Sequence, residues 1–201
     1  MFSLLYGLWK YLTSRDQYQV LIVGLDNAGK TTFLEQSKTQ INQHYRGVPL
    51  NKITATVGLN IGHIHTNGLT LNFWDLGGQT ELQTLWDKYY SESHAVIYVV
   101  DSSDTERLED SKVAFDKMIT NETLSGVPLL LVANKQDIPE SLSLHRIKDI
   151  FFMSDELIGR REYYSVSASA LNGNGVKESI EWTVAAIQRN AVNRPPLNSD
   201  E

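Results

Sequence analysis

Short apolar runs, each the length of a β-strand, alternate along the chain with segments that carry a helical pattern. Parallel strands need a crossover connection, and helices supply it, so this order is typical of a mostly parallel sheet covered by helices on both faces. We therefore predict an α/β fold around a six-stranded sheet. The predicted strands cover residues 18–23, 59–65, 69–75, 95–100, 127–133 and 163–166, and the helices lie near 30–40, 80–90, 105–120, 144–151 and 175–190.

One connection departs from the alternation. Thr66-Asn67-Gly68 joins the second and third strands, and Asn-Gly is a strong hairpin signal because both residues tolerate a positive φ. We therefore predict one antiparallel hairpin in the sheet.

The composition excludes several function classes. The chain has 201 residues, the length of one domain, with 18 basic and 24 acidic residues and a net charge of -6, so the charge has the wrong sign for binding nucleic acid. It contains no cysteine, which excludes disulfides, thiolate metal sites, prenylation and palmitoylation. We expect a cytoplasmic protein with a folded domain over residues 16–192 and a short disordered tail over residues 193–201.

A glycine-rich motif stands between the first strand and the first helix. It matches the pattern G-x-x-x-x-G-K-[ST], whose backbone N–H groups surround phosphate oxygens. The Lys30 ammonium would neutralise the β- and γ-phosphates, and the Thr31 hydroxyl would reach Mg²⁺. The motif reads Gly24, Leu25, Asp26, Asn27, Ala28, Gly29, Lys30 and Thr31, and Thr32 follows it.

Two further positions suit a site for Mg²⁺ and the γ-phosphate. Asp75 ends the third strand and is followed by Gly77 and Gly78, so its carboxylate lies at the edge of the sheet where ligands bind in α/β folds. The N–H of Gly78 would face the γ-phosphate. Thr56 precedes the hairpin, and its hydroxyl would reach Mg²⁺ when the triphosphate holds the loop. The alternative for Thr56 is a strand-forming threonine in an apolar run.

The motif Asn134-Lys135-Gln136-Asp137 follows the fifth strand and predicts which base a bound nucleotide carries. The carboxylate of Asp137 can accept hydrogen bonds from N1–H and the 2-amino group of guanine, and adenine lacks that amino group. A backbone N–H of the loop Ser169-Ala170-Leu171 would meet the guanine O6. These residues indicate GTP and GDP as ligands.

The motifs resemble those of the ADP-ribosylation factor (ARF) family of small GTPases, in which Trp precedes the acidic residue at Asp75 and two glycines precede Gln79. The resemblance implies a P-loop small GTPase fold and Mg²⁺-dependent hydrolysis of GTP. Gln79 would orient the attacking water and Lys30 would stabilise charge on the phosphates. It also implies a monomer that works with an exchange factor, an activating protein and effectors.

Some positions depart from the family pattern. Phe2 replaces the glycine that ARF proteins carry after the initiator methionine, so myristoylation is impossible. Ala55 replaces a proline, and Leu59 stands where the effector surface usually has an aromatic residue. Other segments, including 85–90 and 175–182, are similar to a family member of the trans-Golgi. That similarity implies cycling onto the cytosolic face of the Golgi membrane, an integral membrane receptor and a role in vesicle and protein traffic.

Two alternatives to a hydrolysing switch remain open. One is a nucleotide-dependent binding module with negligible hydrolysis, which Gln79 disfavours. The other is a P-loop kinase or ATPase, which Asn134 to Asp137 disfavours. The sequence also leaves open whether the Asp26 carboxylate repels the γ-phosphate or points outward. His63 and His65 share one strand face, but no third metal ligand stands near them in the sequence.

The first residues predict an amphipathic helix over residues 1–15. Its apolar stretch is shorter than the roughly 20 residues that a membrane span needs. We expect a membrane anchor that depends on GTP, and the alternative is a helix packed permanently on the domain. The apolar residues follow the spacing of one helix face: Met1, Leu4, Leu5, Leu8, Trp9 and Leu12.

Overall fold

A six-stranded sheet forms the centre of the computed structural model, which describes residues 15–42, 44–152 and 158–197. The strands are β1 (Asp16–Val23), β2 (Leu59–Thr66), β3 (Leu69–Leu76), β4 (Ala95–Asp101), β5 (Leu129–Asn134) and β6 (Tyr163–Ser167). Their order in the sheet is β2-β3-β1-β4-β5-β6. β2 and β3 pair antiparallel and all other neighbours pair parallel. The predicted sheet with one antiparallel hairpin is confirmed.

Helices cover both faces of the sheet, as predicted. The α-helices are α1 (Lys30–Ile41), α2 (Leu108–Ile119), α3 (Leu144–Phe151) and α4 (Val176–Asn190), and short 3₁₀ helices cover Leu50–Lys52 and Glu122–Leu124. The side chains of β1 alternate between the faces, so Val20 and Ile22 pack in the core under α1 and α4, whereas Leu21 and Val23 pack in the core under α2 and α3.

The turn between β2 and β3 has the predicted conformation. Asn67 has a φ of 49° and Gly68 a φ of 77°, the left-handed values that a two-residue hairpin turn requires. The hairpin pairs Leu59 with Leu76. It therefore brings the loop before β2, which carries Thr56, to the carboxyl end of β3.

Several predicted elements differ from the structure in type or in bounds. The helix predicted at residues 80–90 is a 3₁₀ helix, Thr80–Tyr89, and an apolar pattern hardly separates a period of about 3.0 from one of about 3.6 residues. The strand predicted from residue 127 begins at Leu129, because Pro128 has no N–H for the ladder. The helix predicted from residue 105 begins at Leu108, and in the turn before it the Asp104 carboxylate accepts from the Arg107 N–H at 3.3 Å.

The prediction of a disordered tail from residue 193 is wrong for residues 193–197. The Arg194 guanidinium donates to the carbonyls of Ser91 at 2.9 Å and Ser93 at 3.2 Å. The Leu197 N–H donates to the Gln17 carbonyl at 2.8 Å, beside the start of β1. Backbone carbonyls that accept from a guanidinium fix the segment, a contact that composition alone does not indicate.

The N-terminal helix predicted over residues 1–15 lies outside the described residues except for Arg15. Within the described part of the chain, no helix has the length and apolar character to cross a membrane.

Candidate functional site

A cleft of about 290 Å³ lies at the carboxyl edge of the sheet, between the glycine-rich loop, the loop before β2 and the turn after β3. This is the edge at which open α/β sheets bind ligands. The predicted site residues that line it are Asp26, Asn27, Gly29, Lys30, Thr31, Thr32, Thr56, Gly78, Gln79 and Lys135.

Lys30 lies at the centre of the phosphate loop. Its Nζ donates to the carbonyls of Gly24 at 2.9 Å and Leu25 at 2.8 Å, and the side chain is buried. Burial lowers the pKa of Lys30 to about 8, while the nearby carboxylates of Asp75 and Asp26 oppose that shift. Like these carboxylates, a bound phosphate oxyanion would favour the charged ammonium of Lys30. The loop is therefore suited to binding phosphate next to Lys30.

The turn after β3 lies directly on the phosphate loop. A Cβ at Gly78 would lie 2.3 Å from the Asp26 nitrogen and 2.3 Å from the Gly24 carbonyl oxygen, so no larger residue fits there. The Gly77 N–H donates to the Gly58 carbonyl at 2.9 Å. These contacts join the turn to the phosphate loop and to the loop that follows Thr56.

The hydroxyls of Thr31 and Thr56 and the carboxylate of Asp75 meet beside the cleft and form a hydroxyl–carboxylate cluster. The Thr31 hydroxyl donates to Asp75 Oδ2 at 2.7 Å, and the hydroxyls of Thr31 and Thr56 are 2.8 Å apart. Thr56 also reaches Asp75 Oδ2 at 3.4 Å. The structure thus brings together the side chains that were predicted to surround Mg²⁺.

The Asp75 carboxylate is fully buried. Burial raises the pKa of Asp75, and the hydrogen bond from Thr31 opposes that rise. Its Oδ1 has no hydrogen-bond partner among the described residues, which is an unusual state for a buried carboxylate oxygen. Asn60, which sequence reasoning missed, donates to Oδ2 at 3.2 Å and pairs with Asp75 across the hairpin. The predicted hairpin register was the signal that could have found it.

The motif Asn134-Lys135-Gln136-Asp137 is hydrogen-bonded to the phosphate loop. Asn134 Nδ2 donates to the Ala28 carbonyl at 2.7 Å, and Asn134 Oδ1 accepts from the Ala170 N–H at 2.9 Å. Asp137 Oδ1 accepts from the Ser169 hydroxyl at 2.5 Å. One buried asparagine therefore connects the ends of three segments that lie far apart in the sequence.

The carboxylate predicted to bind the base is open to solvent: Asp137 is exposed, as is Leu171. The carboxylate is therefore covered only where a bound base lies over it. In the loop Ser169-Ala170-Leu171, which was predicted to offer a backbone N–H to the guanine O6, the Ala170 N–H donates to Asn134 Oδ1.

Other residues at the cleft were not predicted. Ile53, Thr54 and Ala55 line it directly before Thr56, and their position next to Thr56 in the sequence was the signal that could have found them.

The Asp26 carboxylate points outward and accepts from Arg107 Nη1 at 2.9 Å. Arg107 lies 81 residues further along the chain, and no sequence motif marks it.

The paired histidines of β2 have ordinary partners. His63 Nδ1 lies 2.8 Å from Asn72 Oδ1 and His65 Nδ1 lies 3.0 Å from the Thr70 hydroxyl. No group of three or more potential metal ligands of the kinds His, Cys, Asp and Glu occurs among residues 15–42, 44–152 and 158–197.

A solved structure with the same fold defines the class of this protein. The small GTPase Arl6 (BBS3) of Trypanosoma brucei, solved with the nucleotide analogue GppNp, is 33% identical with a TM-score of 0.73. The match covers 86% of this chain and 98% of that one. Together with the motifs at the sheet edge, this likeness assigns the chain to the small GTPases.

Within that class, the chain belongs to the ADP-ribosylation factor family, whose model matches residues 5–187. The chain is 58% identical to ADP-ribosylation factor-related protein 1 of Bos taurus and 57% identical to that of Homo sapiens, over all of this chain and 99% of each relative. It is 42% identical to ADP-ribosylation factor-like protein 3 of Saccharomyces cerevisiae, over 98% of this chain and 99% of that protein.

Proposed function

We propose that this protein is a switch that hydrolyses GTP slowly to GDP and phosphate with the help of Mg²⁺ and recruits effectors while GTP is bound. The observation that carries this proposal is the contact among Thr31, Thr56 and Asp75. It links the phosphate loop to the loop before β2 through side chains that suit a cation. A nucleotide bound in the cleft can therefore control the conformation of that loop.

The hydroxyl–carboxylate cluster of Thr31, Thr56 and Asp75 fits Mg²⁺. A buried carboxylate oxygen without a partner in the described chain and two adjacent hydroxyls supply the hard oxygen ligands that this ion prefers. Thr31 and Thr56 would hold it directly and Asp75 through water. The ion would neutralise charge on the β- and γ-phosphates.

The remaining residues have roles in binding and hydrolysis. The backbone of Gly24 to Thr32 holds the phosphates, Lys30 stabilises the charge that develops between the β- and γ-phosphates, and Gly78 faces the γ-phosphate. Gln79 is exposed beside the cleft and orients the attacking water. Asn134, Lys135, Asp137 and the loop Ser169-Ala170-Leu171 hold the guanine base.

An apolar surface that begins in the loop before β2 is suited to binding effectors. Val57 is 83% exposed and Ile61 is 52% exposed, and Leu59 lies between them, with Trp74 and Tyr89 packed edge to face nearby on the adjoining strand and 3₁₀ helix. The Thr56 hydroxyl lies next to Thr31, so the bound nucleotide controls the surface that begins one residue later. Effectors that bind this surface would therefore distinguish the GTP form from the GDP form.

The resemblance of segments 85–90 and 175–182 to a trans-Golgi family member and the N-terminal sequence support a role at a membrane. We propose a monomer that cycles between the cytoplasm and the cytosolic face of the trans-Golgi membrane in vesicle and protein traffic. An exchange factor and an activating protein would drive the cycle. Residues 1–15, in which Phe2 stands where ARF proteins carry the myristoylated glycine, would act with an integral membrane receptor to anchor the protein. One short helix alone gives only reversible binding.

Flotation with Golgi membranes tests the switch. We expect stronger recovery with a non-hydrolysable GTP analogue than with GDP. We propose that residues 1–15 are released from the folded domain in the GTP form and can then bind the membrane. Deletion of residues 1–14 should abolish recovery. A matched control is deletion of residues 198–201, which removes the opposite end of the chain and should leave recovery unchanged. Equal recovery of the full chain with both nucleotides and of the N-terminal deletion would overturn the anchor.

A further inference from the structure

Arg107 makes a connected set of charge-assisted hydrogen bonds behind the phosphate loop. Its Nη1 donates to Asp26 Oδ1 at 2.9 Å and its Nη2 to the Asp26 carbonyl at 3.3 Å. On the other side, its Nε donates to Asp104 Oδ2 at 2.7 Å. Asp104 therefore fixes the guanidinium, and the guanidinium in turn holds both the side chain and the backbone of Asp26. A planar fork with several donors is the group suited to such a bridge.

The bond to the Asp26 carbonyl orients the next peptide group. The described chain contains no cis peptide bond, and in a trans peptide the C=O and the following N–H point in opposite directions. With the Asp26 carbonyl held toward Arg107, the Asn27 N–H points away from Arg107. Asn27 lines the cleft and has a φ of 61°, so this bond also supports an uncommon backbone conformation.

The bond to the Asp26 carboxylate controls a charge. Asp26 is the acidic residue of the phosphate loop and is near enough to Lys30 to raise its pKa. Its backbone nitrogen lies under Gly78, where the γ-phosphate is proposed to bind. A carboxylate released from Arg107 would repel that phosphate and compete with it for Lys30.

We propose that Arg107 is a positioning residue for nucleotide binding, which keeps the Asp26 carboxylate away from the phosphates and aims the Asn27 N–H into the cleft. This role rests on the proposed guanine-nucleotide function. Arg107 lies in the turn before α2 and is not among the residues that line the cleft. The proposal therefore adds a residue outside the cleft to the nucleotide site. Arg107 acts through Asp26 and touches no phosphate itself.

Dissociation rates of fluorescent nucleotides test the role. Arg107→Ala should speed release of a non-hydrolysable GTP analogue by about tenfold and of GDP by about threefold, sizes common for coupled contacts. The larger effect on the triphosphate follows from the place of Asp26 beside the γ-phosphate position. Arg107→Lys should give an intermediate rate, because one ammonium cannot bridge Asp26 and Asp104.

A double variant separates positioning from a general loss of stability. Asp26→Asn removes the charge but keeps the backbone carbonyl that Arg107 binds. In the Asp26→Asn background, Arg107→Ala should therefore speed release of the GTP analogue by about threefold instead of about tenfold, because only the bond to the carbonyl is then lost. Arg189→Ala is the matched control: it removes another arginine paired with a carboxylate, Glu162, with Nε 3.1 Å from Oε2, remote from the cleft.

Each result decides between positioning and its alternatives. If Arg107→Ala releases both nucleotides at the wild-type rate, or speeds release equally in the Asp26 and Asp26→Asn backgrounds, the proposed positioning is overturned. If Arg107→Ala does not fold, the same comparison of Arg107→Lys in the two backgrounds decides. Failure of the wild-type protein to bind either nucleotide would instead refute the proposed function, so the two failures are distinguishable.

Discussion

Replacement of Gln79 by leucine is expected to lower the rate of GTP hydrolysis stimulated by an activating protein by about 10³-fold or more, while GTP binding persists. The side chain is exposed beside the cleft, next to Gly78, whose N–H is proposed to face the γ-phosphate. Leucine can neither accept a hydrogen bond from the attacking water nor donate one. The loss therefore affects the transition state and leaves the contacts of the bound nucleotide in place.

Single-turnover hydrolysis with an ARF-family activating protein measures this effect. The matched control is Gln188→Leu, which makes the same chemical change at an exposed position of the last helix. We expect wild-type turnover for the control and normal retention of GTP for both variants. Stimulated hydrolysis by Gln79→Leu at the wild-type rate would show that another group orients the water.

Asp137→Asn is expected to weaken GTP binding by about 10³-fold and to gain binding of xanthosine triphosphate. An asparagine amide can turn a donor toward the base, where guanine also presents donors, whereas xanthine has a carbonyl at that position. The Ser169 hydroxyl donates to Asp137 Oδ1 at 2.5 Å and fixes the side chain in the wild type. Since Asp137 is exposed in the structure, the discrimination arises when the bound base covers the carboxylate.

Competition binding with GTP, ATP and xanthosine triphosphate measures this change in preference. Asp149→Asn is the matched control, because Asp149 is an exposed aspartate on α3 outside the cleft. It should keep the wild-type order of affinities. A strong preference of Asp137→Asn for GTP over xanthosine triphosphate would mean that the base is read by other groups.

The sequence predicted correctly those features of the fold that depend on interactions between neighbouring residues. Strand length, helical spacing and the Asn67-Gly68 turn depend on neighbouring residues, and they led to the correct sheet with its one hairpin. The motifs also led to Thr31, Thr56 and Asp75. Thr31 follows the loop after β1 and Asp75 lies near the end of β3, and the antiparallel hairpin brings the loop before β2, with Thr56, to the same edge of the sheet. The start of β5 differs because Pro128 has no N–H for the ladder.

Contacts between distant segments explain what the sequence did not predict. Arg107 reaches Asp26 across the fold, and Arg194 fixes the segment predicted to be disordered by binding backbone carbonyls. Such contacts depend on the tertiary fold, and neither arginine belongs to a periodic pattern or motif. The exposure of Asp137 also depends on how the surrounding loops pack, which hydropathy along the chain does not determine.

Single-turnover release of phosphate by the wild-type protein, loaded in parallel with GTP or ATP in the presence of Mg²⁺, tests the proposed switch most directly. We predict retention of GTP but not of ATP and very slow phosphate release, because the residues that line the described cleft include no arginine. An activating protein that supplies one should accelerate release by about 10³-fold or more. Rapid release by the protein alone, equal hydrolysis of ATP, or no release even with the activating protein would contradict the account.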